Sequence, residues 1–247
     1  MHRIWVPDDI QEDQELQLAG GEARRLLNVL RLGPGARLRV FNDRGVEGEA
    51  EILRGAGGKV QLRIHRVALV DRESPLDIRL FQALVKGDRM TWILQKTTEL
   101  GIDEVGVLVV NRCVPRWHAG QTDGRMDRWR RVMIEAARQC GRTRLPVLTG
   151  PWSPETLSRR ALASESVKIL LWEGEERSTL RKVLTQVESP REIWISVGPE
   201  GGLEASEVHD LDAAGFRSVR LGPRILRAET AGPVAVAVLQ YLYGDLG

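Results

Sequence analysis

Ile193-Trp194-Ile195-Ser196-Val197-Gly198-Pro199-Glu200-Gly201-Gly202 decides the reading of the fold. Its first half is a nearly unbroken apolar run bounded by turn residues, the pattern of a strand buried on both faces. Its second half is a loop in which glycines permit positive φ and let a backbone come close to a ligand. Val167 to Trp172 and Val105 to Val110 repeat the apolar run, and Ile78 to Val85 forms a further strand. Helical spacing separates them. Asp88 is placed to cap a helix with Met90, Ile93, Leu94, Thr97 and Leu100 on one face and Gly101 as its stop. Met126 to Gln139, Glu207 to Ala214 and Thr230 to Tyr243 follow as helices, with Val219-Arg220-Leu221 as a short strand. Strands alternating with helices imply an α/β fold with a mainly parallel sheet. Such sheets bind ligands at the carboxyl ends of their strands, here the loops after Val85, Trp172, Gly198 and Leu221.

The last of these loops, Leu221-Gly222-Pro223-Arg224-Ile225-Leu226-Arg227-Ala228-Glu229-Thr230-Ala231, joins a Gly-Pro turn and an apolar pair to charges at the mouth of the final helix. Two glycine turns bearing ionisable groups on neighbouring strand ends point to a small-molecule pocket. Neither loop has the Gly-x-Gly-x-x-Gly spacing, which leaves a dinucleotide site unsupported.

The first seventy residues read differently. Arg37 to Phe41 alternates with period two, Asn42-Asp43-Arg44-Gly45 is turn chemistry, and Val46 to Leu53 and Val60 to Ile64 are strands around Gly57-Gly58. A short helix at about 21–29 precedes them. Leu53 and Val60 stand where a phosphate-binding loop would need Gly and Ser or Thr, so Gly57-Gly58-Lys59 is a hairpin turn. The polar break Asp71-Arg72-Glu73-Ser74-Pro75 divides the chain into a domain at 1–72 and a domain at 73–247.

Composition removes several functions. The 247 residues carry a formal charge of +2, are 42% hydrophobic and hold no apolar run approaching a membrane span. With no apolar core near Met1 either, a cytoplasmic location is expected. Cys113 and Cys140 form no Cys-x-x-Cys pair, and His2, His65, His118 and His209 are scattered, so no metal is expected. Only five of the 36 basic residues are lysines, which leaves 31 arginines, side chains whose planar fork grips phosphate. Nine of them lie between Asn111 and Pro146 against three acids, with Trp117 and Trp129 interleaved. That pattern suits RNA, although a solvated charged face would look the same.

The two glycine loops, together with Val85-Lys86-Gly87-Asp88-Arg89-Met90, Gln95 to Gly101, Glu135 to Arg142 and Val29 to Gly35, resemble the RsmE family of 16S rRNA uridine N3-methyltransferases. Arg24-Arg25 stand where that family often has a histidine pair, and Ala228 where it usually has threonine. The resemblance implies a small N-terminal PUA-like β-barrel that binds RNA and a C-terminal SPOUT α/β domain whose chain end forms a trefoil knot. It also implies S-adenosylmethionine as cofactor, 16S rRNA within the small ribosomal subunit as partner, and a homodimer. Two other activities fit the same loops less fully: ribose 2′-O methylation by a SPOUT enzyme, and RNA binding without catalysis in ribosome assembly.

On this resemblance Gly198, Gly201, Gly202, Leu221, Gly222, Ile225 and Leu226 form the cofactor cradle, bordered by Trp172 or Glu173. Glu200 either contacts the cofactor or closes its own loop. Arg227, which also counts among the cofactor-side residues, is the cation expected to favour the uracil anion, and Glu229 a base or orienting carboxylate. The same pair would equally serve as an ion pair at a helix start. Lys96, three residues from Glu99, is placed on the substrate side by its motif, and Arg31, Arg112 and Arg142 are the RNA contacts.

Overall fold

The computed structural model describes residues 1–117 and 122–247; His118 lies outside them. The chain forms two compact units, Met1–Glu73 with Ala137–Leu145, and Ser74–Ala136 with Pro146–Gly247. The break falls in the polar stretch read as a boundary, but Ala137–Leu145 clusters with the first unit, not the second. Arginines explain this. Arg3 Nη1 donates to the carbonyls of Ala137 and Arg138, and Arg72 Nη1 to that of Gly141. These carbonyls lie at or just past the end of the helix that closes at Cys140, where carbonyls commonly take partners from outside the helix. No local pattern announces contacts between residues so far apart in sequence.

The first unit contains β1 (Arg3–Trp5), β2 (Glu15–Ala19), α1 (Gly20–Arg24) running on as a π-helical turn to Val29, β3 (Arg37–Phe41), β4 (Val46–Ala56) and β5 (Lys59–Leu69). Its sheet has the order β1-β3-β4-β5-β2, antiparallel except for the β1–β3 pair. Gly57 and Gly58 turn the β4–β5 hairpin at φ 57° and 71°, as a two-residue turn with positive φ at both positions requires. Alternate residues such as Leu38, Val40, Ile52, Leu62 and Ile64 fill one core with Ile4 and Leu26. Buried Glu47 accepts from Arg3, Arg39 and Arg72.

The second unit runs β6 (Asp77–Ala83), α2 (Arg89–Glu99), β7 (Glu104–Leu108), α3 (Thr122–Cys140, ending in the first unit), β8 (Val147–Trp152), α4 (Pro154–Leu162), β9 (Val167–Leu171), α5 (Leu180–Leu184), β10 (Glu192–Val197), α6 (Ala205–Ala213), β11 (Arg217–Val219) and α7 (Ala228–Tyr243). Its six strands are all parallel, in the order β11-β9-β10-β6-β7-β8. One face carries α2 and α7, the other α4 and α6. Gln240, wholly buried on α7, donates from Nε2 to the carbonyls of Leu100 and Gly101 and accepts from Ser74 Oγ at 2.6 Å. The end of α2 is thereby capped from another helix. Asp88 does not cap α2 with its side chain, contrary to the sequence reading; it accepts from Arg128 Nη2 instead.

A buried ion cluster sits beneath this sheet. Both carboxylate oxygens of Glu104 accept from Arg160, at 2.6 and 2.7 Å, and Oε1 also accepts from Thr149. The Arg160 guanidinium lies over the rings of Phe81, Trp152 and Trp194. Burial would raise the Glu104 pKa, but the Arg160 and Thr149 hydrogen bonds and the charges of Arg160 and Arg79 outweigh it and hold the carboxyl below its ordinary value. Glu104→Ala should therefore cost about 3 kcal/mol or more, roughly 6–12 °C in melting temperature. Because the native pKa is depressed, this contribution is complete above the unfolded value near 4.3 and fades as pH falls through the native one. Thermal melts of both proteins from pH 7 to pH 3 should show the gap narrowing at the acid end; a constant gap would point to lost packing alone.

Candidate functional site

The loops that follow β9, β10 and β11 converge with the first residues of α7 on a cleft of about 650 Å³, a size suited to a small molecule. Ten of the eleven residues assigned to cofactor or catalysis on these loops line it: Trp172, Gly198, Glu200, Gly202, Leu221, Gly222, Ile225, Leu226, Arg227 and Glu229. The strands end there because they are parallel, so their carboxyl ends share one edge.

The glycines serve different ends. Gly222 has φ 134° and open space where a Cβ would stand, so backbone and cleft meet there directly. Gly202, at φ 71°, lies against the Glu173 carboxylate, which occupies the place of a Cβ. Gly198 fits against Leu203, with a Cβ position 3.1 Å from Leu203 Cγ. Gly201 does not line the cleft. A Cβ on it would come within 3.1 Å of Arg112 Cβ and 3.3 Å of the Arg112 carbonyl, and Arg112 Nη1 donates to the Gly201 carbonyl at 3.3 Å. Gly201 is therefore small to admit Arg112.

Arg227 begins α7 with an extended backbone, and its carbonyl accepts from Thr230 N and Ala231 N. Its side chain is 81% exposed at the lip of the cleft, 3.9 Å from Glu229 Oε1. So loose a pair contributes little stability. Glu229 is only 16% exposed; its Oε2 is buried without a hydrogen-bond partner and its Oε1 lies 3.5 Å from Arg89 Nε. Glu200 Oε1 accepts from Lys86 N and Arg89 Nη1. Burial pushes the Glu200 pKa up, but the amides of Lys86 and of Glu200 itself, with the Arg89 guanidinium, bring it below the ordinary value.

Other assigned residues stand elsewhere. Lys96 closes on both oxygens of Glu99, at 2.8 and 2.9 Å, and does not line the cleft. It sits seven residues beyond Arg89, about 10 Å along the helix. Arg142 is turned inward, its side chain 7% exposed and bound to Glu73 at 2.6 Å. Gripping a phosphate, as the sequence reading expects of it, would require breaking that buried pair. Arg31 is exposed, in the left-handed region at φ 53°. Trp129 is core, with Trp117 stacked at 6.1 Å, so the interleaved tryptophans are partly a packing feature.

Arg89 is a lining residue that sequence reasoning left without a role, although its motif follows the first parallel strand. Glu175, Glu176, Arg220 and Arg224 complete the charged rim. Among the described residues no group of three His, Cys, Asp or Glu could hold a metal ion.

Residues 72–240 match the model of the RNA methyltransferase domain, and residues 18–64 that of the RNA methyltransferase PUA domain. The ribosomal RNA small subunit methyltransferase E of Mycobacterium bovis is 30% identical over 90% of this chain and 85% of its own. The chain belongs to the RsmE family. The RsmE of Bacillus subtilis is 28% identical over 98% of this chain and 96% of its own. A Neisseria gonorrhoeae RsmE solved bound to S-adenosyl methionine superimposes with TM-score 0.87 at 32% identity over 100% of both chains. A Legionella pneumophila chain, Lpg2936, solved in complex with the bound cofactor SAM, does so with TM-score 0.92 at 34% identity over 99% and 98%. Membership in RsmE makes this protein an RNA methyltransferase with an N-terminal PUA-like domain.

The glycine geometry gives a graded expectation. Gly222→Ala meets only backbone strain, about 1 kcal/mol, whereas Gly202→Ala must also displace the Glu173 carboxylate and should cost more. Urea denaturation of the two variants checks the order; equal losses would remove the Glu173 contact from the account.

Proposed function

We propose that this protein methylates N3 of a uridine in 16S rRNA, using S-adenosylmethionine held in the cleft of the second unit. The observation that carries the reading is the convergence of the three strand-end loops on one cleft with an exposed arginine at its lip. The cleft's chemistry fits the cofactor. Leu221, Ile225 and Leu226 offer apolar surface to a purine, Gly222 leaves backbone bare, and Glu173, Glu175, Glu176, Glu200 and Glu229 suit a ligand carrying ammonium and sulfonium charge. When bound, S-adenosylmethionine supplies an electrophilic methyl group.

The chain's own residues supply the rest. N3 of uracil carries a proton and is a poor nucleophile until that proton leaves. A guanidinium at the lip favours the resulting anion, which is spread over the ring oxygens, and it cannot itself lose charge. Loops fixed to strand ends hold the reactants in line, which can lower the barrier by up to roughly 7–11 kcal/mol. Arg31 on the PUA-like unit and Arg112 near the glycine loop remain the RNA contacts of this reading, with Arg220 and Arg224 at the rim.

The same proposal includes a homodimer, a knotted chain end, action on the small ribosomal subunit and a cytoplasmic location. Exposed Val234, Val238, Tyr241 and Leu242 recur on one side of α7 at helical spacing, which supports a helix face covered by a second copy. No described helix is long and apolar enough to cross a membrane. Nucleoside analysis of the product separates base N3 methylation from ribose 2′-O methylation.

Arg227→Ala should lower the single-turnover methylation rate on the order of 10²-fold with little change in cofactor affinity. Arg227→Lys should recover part of the rate, since a point charge replaces a fork. Normal turnover in a folded Arg227→Ala protein would remove this residue from catalysis.

A further inference from the structure

A file of alternating charge crosses the cleft. Lys86 N and Arg89 Nη1 both donate to Glu200 Oε1, at 3.0 and 2.5 Å. Arg89 Nε lies 3.5 Å from Glu229 Oε1, and the same oxygen lies 3.9 Å from Arg227 Nη1. Lys86 and Arg89 belong to the loop and helix start after β6, Glu200 to the loop after β10, and Arg227 and Glu229 to the start of α7. Three separate loops are thus joined by one guanidinium, and exposure rises from 16% at Glu229 to 81% at Arg227.

Glu229 is the unusual member. Its Oε2 is buried and has no hydrogen-bond partner among the described residues, and its Oε1 faces the Arg89 and Arg227 guanidinium edges. A carboxylate so poorly satisfied is unfavourable and persists only where its surroundings fix it. Arg89, itself anchored on ionised Glu200, is the group that fixes it.

We propose that Arg89 is a positioning residue for methyl transfer: it holds Glu229 in place, and Glu229 tethers the Arg227 guanidinium over the cleft. This rests on the N3-methylation reading and assigns Glu229 a tether's role, not a base's. The N3 lone pair lies in the ring plane, along the line on which the proton departs and the methyl group must arrive. A carboxylate that took the proton would stand on that line. With a tethered cation, the N3–H bond breaks, the proton passes to solvent water, and its electron pair stays on the base, spread over N3, O2 and O4; N3 would then bond to the methyl carbon as that carbon's bond to sulfur breaks, the neutral thioether being the leaving group. The guanidinium meets one of those oxygens. An exposed arginine is free to leave that position, and a tether restrains it beforehand.

The test uses the full-length protein and small ribosomal subunits reconstituted on 16S rRNA transcribed with uridine or with 5-fluorouridine, whose imide is more acidic and needs less help to ionise. Arg89→Ala should slow single-turnover methylation about tenfold on uridine RNA with S-adenosylmethionine affinity within about twofold, and Arg89→Lys should recover part of it. The loss should shrink to under about threefold on 5-fluorouridine RNA, and the double variant Arg89→Ala/Arg227→Ala should be no slower than Arg227→Ala. Glu229→Gln, which keeps the shape, should show the same loss and the same rescue, and it carries the test if Arg89→Ala does not fold. A lowered melting temperature with equal rate losses on both RNAs, or additive losses in the double variant, would overturn the proposal. Failure of the unmodified protein to methylate N3 in either RNA would overturn the underlying reading and this inference with it.

Discussion

Strand β10 is hydrogen-bonded on both sides, to β6 and to β9, in unbroken register from Ile193 to Val197. The cleft depends on that double pairing. Because every neighbour is parallel, the loops leaving β9, β10 and β11 emerge on one edge, and the glycine turn at 198–202 has no other place to go. Both faces of the sheet are covered by helices, so the loops are held by the core below them and need little order of their own.

Glu104, buried, and Glu229, half-buried, show how one fold treats the same group in opposite ways. Glu104 is met by Arg160 on both oxygens, by Thr149 and by Arg79, and its partners are themselves packed against three aromatic rings. Nothing is left over for a ligand, and its contribution is to stability. Glu229 has one oxygen unpartnered and the other flanked at longer range. It lines the cleft and sits between Arg89, anchored on Glu200, and the exposed Arg227. Unmet hydrogen-bonding capacity beside a cavity marks a working group more clearly than charge does.

Much of this was legible beforehand, and the exceptions have physical causes. Largely apolar runs mark β6, β7, β9 and β10, and the loops after β9, β10 and the short strand at Val219 supply most of the cleft residues. β8 was hidden because its sequence contains Gly150-Pro151, a turn signal that an edge strand tolerates. α5 spans one short turn, too little for a helical period to register. The surroundings of Arg142 and Gly201 are hidden for a different reason: a motif tells which residues recur together, whereas inward or outward direction depends on partners such as Glu73 and Arg112. Arg89 was passed over because its two carboxylates come from loops more than a hundred residues further along the chain.

The pairing of Asp77–Ala83 with Glu192–Val197 also governs time. Strands brought together across so long a loop cannot meet by local collapse, and sheets of this kind form slowly, after their helices. Until β10 slots between β6 and β9, the glycine turn, the acid at its tip and the arginine that binds it belong to unconnected pieces of chain. A half-folded molecule therefore has no partial cleft in which to sequester a reactive small molecule: competence arrives together with completion of the sheet.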